Sequence, residues 1–223
     1  MNLQQAFEKI ALVDMSWVVW VLVLMSVLSV AIMLERMVFF WRWAKVSHEE
    51  ALMKLQGILQ KRAYDQGAQE FASMRGTTAA VLAAGLEKLS AGAGAAEEAM
   101  LGVLAREKLQ LERYLTFLGT VSNNAPFLGL FGTVTGLIKS FYQLGQTQTP
   151  DMKVVMFGVT EALVTTALGL IVAIPAVIAN NAFRRRIRSI VTHAEELARI
   201  LLSHARRTDF QVSPTHTTTS EDA

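Results

Sequence analysis

The sequence predicts an all-α integral membrane protein with three transmembrane helices, the second and third extending into the cytoplasm. Three observations carry this. Apolar residues make up 52% of the 223 residues and charged residues only 18%, and mean hydropathy is +0.34. That is too apolar for a disordered chain and high for a soluble domain. Three long stretches, 16–41, 115–144 and 154–183, are nearly free of charge. Basic residues sit beside those stretches, as membrane flanks require. The absence of cysteine excludes disulfides, thiolate metal sites and Cys nucleophiles. The four histidines, His48, His193, His204 and His216, share no close spacing, so no metal site is expected.

Residues 1–15 are read as an extracytoplasmic N-terminal segment. Ser16–Leu34 carries no charge, and its nineteen residues span about 28 Å as a helix, close to one hydrocarbon thickness. Trp17, Trp20, Trp41 and Trp43 cluster near its ends, as interfacial belts do. A secretory signal peptide is the rival reading. The flanks oppose it, because Glu8, Lys9 and Asp14 precede the run while Arg36, Arg42 and Lys45 follow it.

Residues 42–114 read as a water-soluble helical loop rather than a separate globular domain. Leu52, Leu55, Ile58 and Leu59 recur at helical spacing, and Gly76-Thr77-Thr78 and Ser90–Gly94 read as breaks. From Ala95 the apolar pattern passes through Leu111 and Leu115 without a breaker, so the second membrane helix is expected to start well inside the cytoplasm. In 115–144 Lys139 is the only charge. Asn123 and Asn124 mark an inner interface, and Lys139 can snorkel outward. Residues 145–153 are a hairpin. In 154–183 Glu161 is the only charge. Residues 184–212 continue the third helix through Ile187, Ile190, Val191, Leu197, Ile200 and Leu201, and 213–223 is a polar, Thr-rich tail expected to be disordered.

Arg36 and Arg42 follow the first span, and Arg184, Arg185 and Arg186 follow the third. Read as topology anchors, they place both flanks in the cytoplasm and the N-terminus outside. A nucleic-acid role for the arginine run is the weaker reading.

Glu161 is the informative residue. It lies about 10 Å of helix inside the outer end of its span. An acid there costs a few kcal/mol, on the order of 2.5 to 3.5, unless it faces protein or water. Burial favours the neutral carboxyl, and a group that is neutral or charged at similar cost binds and releases protons. The bland alternative is a structural acid bonded to neighbouring helices. Thr133 and Thr166 lie at one depth, and Thr165 stands one turn after Glu161. Hydroxyls and an acid along one seam can hold a file of water. Gly129, Gly132 and Gly136 form one small-residue stripe, and Gly158, Ala162, Thr166, Gly169 and Ala173 another. Such stripes let helices approach closely, and subunits are expected to meet through them. Pro175 frees the carbonyl of Ile171. No phosphate loop, catalytic triad or paired catalytic carboxylates appears, and no cofactor is implied.

Asn124-Ala-Pro-Phe-Leu-Gly-Leu-Phe-Gly-Thr-Val-Thr-Gly136 and Gly158-Val-Thr-Glu-Ala-Leu-Val-Thr-Thr-Ala-Leu-Gly-Leu-Ile-Val-Ala-Ile-Pro-Ala176 resemble the ExbB/TolQ/MotA proton-channel family, and Gly145-Gln-Thr-Gln-Thr149 is most similar to the ExbB hairpin. The resemblance covers the last two helices closely and the rest in layout. It implies an inner-membrane pentamer around a single-span ExbD/TolR-like partner, a TonB-like energy transducer, and no enzyme activity. It makes Glu161 the family's helix-three acid, Thr133 and Thr166 its pore hydroxyls, Pro175 its helix-three proline, and Arg36 the basic residue closing helix one. Thr165 and Lys139 depart from the pattern. A TolQ-like envelope role, a gliding-motility stator and a non-conducting scaffold are the alternatives.

Overall fold

A computed structural model describes residues 16–43, 47–146 and 152–212. The expected N-terminal segment, most of the hairpin and the tail lie outside them. The helices are α1 (Ser16–Trp43), α2 (His48–Lys61), α3 (Tyr64–Ser73), α4 (Thr77–Lys88), a 3-10 turn (Leu89–Ala91), α5 (Ala93–Glu112), α6 (Leu115–Gln146) and α7 (Met152–Val212). They divide into two compact units: residues 1–38 with 114–184, and 39–113 with 185–223.

In the first unit α1 is apolar on every side. Val18 and Leu22 are buried, with Ser29 and Arg36 further along one face, while Trp20, Leu24, Val27 and Leu34 are exposed. A narrow buried stripe on an all-apolar helix is what lipid exposure produces. Contacts fix the register. Trp17 meets Phe131 with ring centroids 6.1 Å apart, and the Arg36 guanidinium lies 5.5 Å over the Tyr114 ring. α1 therefore runs antiparallel to α6. Thr166 on Gly129 and Gly158 on Ser140 make α7 antiparallel to α6 as well. Val18, Leu22, Leu118, Val121, Ala125, Val172, Ala173 and Ala176 form the core.

Among the described residues two helices are long and apolar enough to cross a membrane, over Trp17–Arg42 and Val155–Arg207. α6 does not meet that measure. Asn123, Asn124, Pro126, its glycines and threonines, and Lys139 dilute its hydropathy. α7 continues past Pro175 without interruption, as the apolar pattern predicted.

Two expectations are corrected. The second membrane helix does not continue from α5, because the chain breaks at Arg113–Tyr114, where Tyr114 has φ +64°. A non-glycine residue in that region costs about 1–2 kcal/mol, and no glycine or proline announces it. The loop is also not a mere connection. With the distal part of α7 it forms a unit with its own core: Leu55, Ile58, Phe71, Val81, Leu82, Leu86, Met100, Leu104, Ala194, Leu197 and Leu201. The breaks at Gly76 and Gly92 fall where the sequence placed them, both at positive φ.

α2 stops at Arg62, φ 53°, where Arg62 N–H donates to the Leu59 carbonyl and Ala63 N–H to that of Ile58, a Schellman-type end. Ile58 then packs over Gly67, where an added Cβ would lie 2.6 Å from Ile58 Cγ2. Lys54 bridges Glu50 at 3.3 Å and Glu70 at 3.4 Å, joining α2 to α3. The contact with Glu50 is the main reason its pKa is raised. At the start of α4, the Thr77 hydroxyl donates to buried Glu107 at 3.4 Å, where a carboxylate suits a helix N-terminus. The histidines are not all apart: His48 and His193 have ring centroids 4.5 Å apart.

Gly102 sits mid-α5 with nothing within 4 Å of an added Cβ. Gly102→Ala should stabilise the chain by about 0.5–1 kcal/mol through helix propensity. A thermal melt in detergent reads this, and a lower midpoint would mean that the face is covered.

Candidate functional site

The seam between α6 and α7 is built from absent side chains. A Cβ on Gly129 would lie 3.1 Å from both Thr165 O and Thr166 Cα, and one on Gly169 would lie 2.7 Å from Ala125 O. A Cβ on Gly132 would overlap Thr165, and one on Gly158 would overlap Ser140. Ala162 is fully buried. Both stripes predicted from the sequence are thus used inside one chain.

That close approach gathers hydroxyls. Thr133 donates to the Gly129 carbonyl at 3.1 Å and Thr166 to the same carbonyl at 3.0 Å, and the two hydroxyls touch each other. The sequence placed them at one depth, and the structure brings them into contact. Thr165 is 1% exposed and donates to the Glu161 carbonyl at 3.1 Å. Its hydroxyl serves the backbone, and its methyl faces Gly132.

Glu161 lies apart from that pair. Its side chain is exposed and lines a cavity of about 530 Å³ with Gly136, Lys139, Ser140, Gln143, Lys153, Phe157 and Gly158. The register pairs Gly158 with Ser140, so Lys139 stands near the level of Gly158, about one helical turn before Glu161 along α7. Ser140, Gln143 and Lys153 were not singled out from the sequence. Ser140 could have been, since it extends the Gly132/Gly136 stripe by one turn. Its hydroxyl donates to the Gly136 carbonyl at 2.8 Å.

The arginines divide. Arg36 is 3% exposed, paired with Glu35 at 2.5 Å and stacked on Tyr114. A buried, stacked guanidinium packs the helix end. Arg42, Arg184, Arg185 and Arg186 are exposed, and Arg184 donates to Asn180 at 3.3 Å. Pro175 is exposed within α7. Among the described residues no group of three His, Cys, Asp or Glu could hold a metal ion.

An acid that opens on a cavity within a membrane helix, beside a tight hydroxyl-bearing seam, can take up and release protons. The profile of the MotA/TolQ/ExbB proton channel family matches residues 73–196, a stretch holding the whole α6–α7 seam. The biopolymer transport protein ExbB of Salmonella typhimurium is 32% identical over 206 residues, covering 86% of this chain and 82% of that protein. The ExbB of Pseudomonas putida is 37% identical over 168 residues, 70% of this chain but only 50% of that longer protein. The Tol-Pal system protein TolQ of Pseudomonas aeruginosa is 44% identical over 107 residues, 46% of each chain. With more than half its length matched by the profile, the chain belongs to the MotA/TolQ/ExbB proton channel family.

Proposed function

We propose that this chain is the ring-forming subunit of an inner-membrane stator that turns proton motive force into mechanical work for a TonB-type import system. The observation that carries this is Glu161: the lone acid of the apolar stretch 154–183, exposed on its own chain and opening on a cavity. Lipid cannot cover such a face cheaply, so a partner or water does. One charge crossing 100 mV releases about 2.3 kcal/mol, enough to drive conformational steps.

In this reading α6 is also a membrane span, the second in chain order, with Gly129, Gly132 and Gly136 of its small-residue stripe packed within the chain. The N-terminus is outside, and the arginine-flanked ends are cytoplasmic. Five copies surround an ExbD/TolR-like single-span partner that faces Glu161, with Thr133 and Thr166 holding water deeper in the seam. Because the glycine stripes are occupied within the chain, subunits meet through the exposed apolar faces instead. The ExbB relatives favour TonB-type work, and the TolQ relative supports the second reading, an envelope-integrity role. The test is native mass spectrometry of the complex purified from its own membranes through a tag on this chain. Five copies with a smaller single-span chain are expected, and a lone monomer would overturn the proposal.

A further inference from the structure

Glu161 stands between two close contacts that interlock in opposite directions. About one turn before it, α7 has no side chain at Gly158, and Ser140 of α6 fills the space: a Cβ there would overlap Ser140 Oγ. About one turn after it the roles reverse. α6 has no side chain at Gly132, and Thr165 of α7 fills the space. A Cβ on Gly132 would overlap the Thr165 γ-methyl and lie 3.2 Å from Thr165 Cβ. Both inserted side chains are buried. Both turn their hydroxyl back onto their own helix, Ser140 onto the Gly136 carbonyl at 2.8 Å and Thr165 onto the Glu161 carbonyl at 3.1 Å. We infer that Thr165 is a positioning residue for Glu161: its γ-methyl, seated over Gly132, holds the rotation of α7 at which the acid faces its cavity. The inference rests on Glu161 being the proton-binding acid.

At 3.6 residues per turn, Glu161 lies about 40° around α7 from Thr165 and about 60° from Gly158. It therefore sits at the edge of the face that α6 covers. A turn of α7 by a few tens of degrees would press the carboxyl against α6 or swing it away from the cavity. Gly129 and Gly169 set how closely the helices approach, but they carry no side chain to resist such a turn. Two side chains inserted in opposite directions do resist it. The two halves of Thr165 are not equally needed. A buried hydroxyl requires an acceptor, and the carbonyl four residues back supplies one. That carbonyl keeps its helical N–H donor within α7, so losing the hydroxyl leaves nothing unpaired. The methyl is the group in the hole. One buried methyl is worth about fourfold in an equilibrium constant.

The test sets shape against polarity in cells that make each variant in place of the native chain. Energy-driven uptake is divided by the amount of complex that co-purifies, so that lost assembly is not counted as lost function. Thr165→Val keeps the shape without the hydroxyl and should transport as wild type. Thr165→Ser keeps the hydroxyl without the methyl and should fall by about fourfold. Gly132→Ala overfills the same hole and should also fall. Thr165→Ser combined with Gly132→Ala moves the methyl from one helix to the other and should recover the wild-type rate. Two independent losses would add instead. A proton relay through the Thr165 hydroxyl predicts the reverse order: Thr165→Val inactive, Thr165→Ser active and no rescue. That order would overturn the inference, as would a double variant that does not recover, or wild-type uptake by Thr165→Ser. Glu161→Gln separates the two levels. If it abolishes uptake while the double variant stays impaired, only the positioning role fails. If it transports normally, the proton reading itself fails.

Discussion

Glu161→Gln is expected to abolish energy-driven uptake while the complex still co-purifies intact. The amide has nearly the size of the acid and still hydrogen-bonds, but it does not titrate near neutral pH. The side chain lies on an exposed face, so the fold should not register the change. Glu161→Asp keeps a titrating group one methylene further back and should retain partial activity. Thr133→Val and Thr166→Val should be milder still. The two hydroxyls share one acceptor, the Gly129 carbonyl, so removing either leaves the other in place, at a cost of about 0.5–1.5 kcal/mol. Uptake assayed beside co-purification decides the matter. Wild-type transport by Glu161→Gln would leave the acid structural and favour a non-conducting scaffold.

What the sequence revealed of this fold follows from where hydropathy is unambiguous. Long apolar runs almost free of charge marked α1 and α7, and a lone acid in the second run marked Glu161. Two small-residue stripes at three/four spacing announced close helix contact. They could not announce which contact, because a glycine stripe reads the same whether its partner belongs to the same chain or to the next. Breaks carried by glycine were legible at Gly76 and Gly92. Those carried by Arg62 and Tyr114 were not, since a left-handed non-glycine residue leaves no compositional trace. The core of the second unit was hidden for another reason. Leu55 and Leu82 pack with Leu197 and Leu201, more than a hundred residues away, and local periodicity cannot pair faces across such a distance. Arg36 had the right type for an anchor, and only the position of Tyr114 shows that it is buried.

The second large effect is expected at Gly169. Its added Cβ would meet the Ala125 carbonyl oxygen at 2.7 Å and Gly129 Cα at 3.0 Å. Both are backbone atoms on α6, so no rotamer change relieves the clash and the two helices must separate. Gly169→Leu should therefore destabilise the chain by about 3 kcal/mol, the upper end of overpacking penalties. Gly169→Ala should lie between that and wild type. Gly132→Ala should be gentler, because the atoms it approaches belong first to the Thr165 side chain, which can yield at about 1 kcal/mol. Gly129 and Gly169 touch each other, so their double alanine variant should not be additive. The measurement is thermal unfolding of the detergent-solubilised chain, followed by helicity and tryptophan fluorescence, alongside its oligomeric state. A seam within one chain lowers the midpoint of the dissociated monomer as much as that of the assembly. A monomer melting like wild type, with only the assembly lost, would show that α6 and α7 of neighbouring copies meet through these glycines instead.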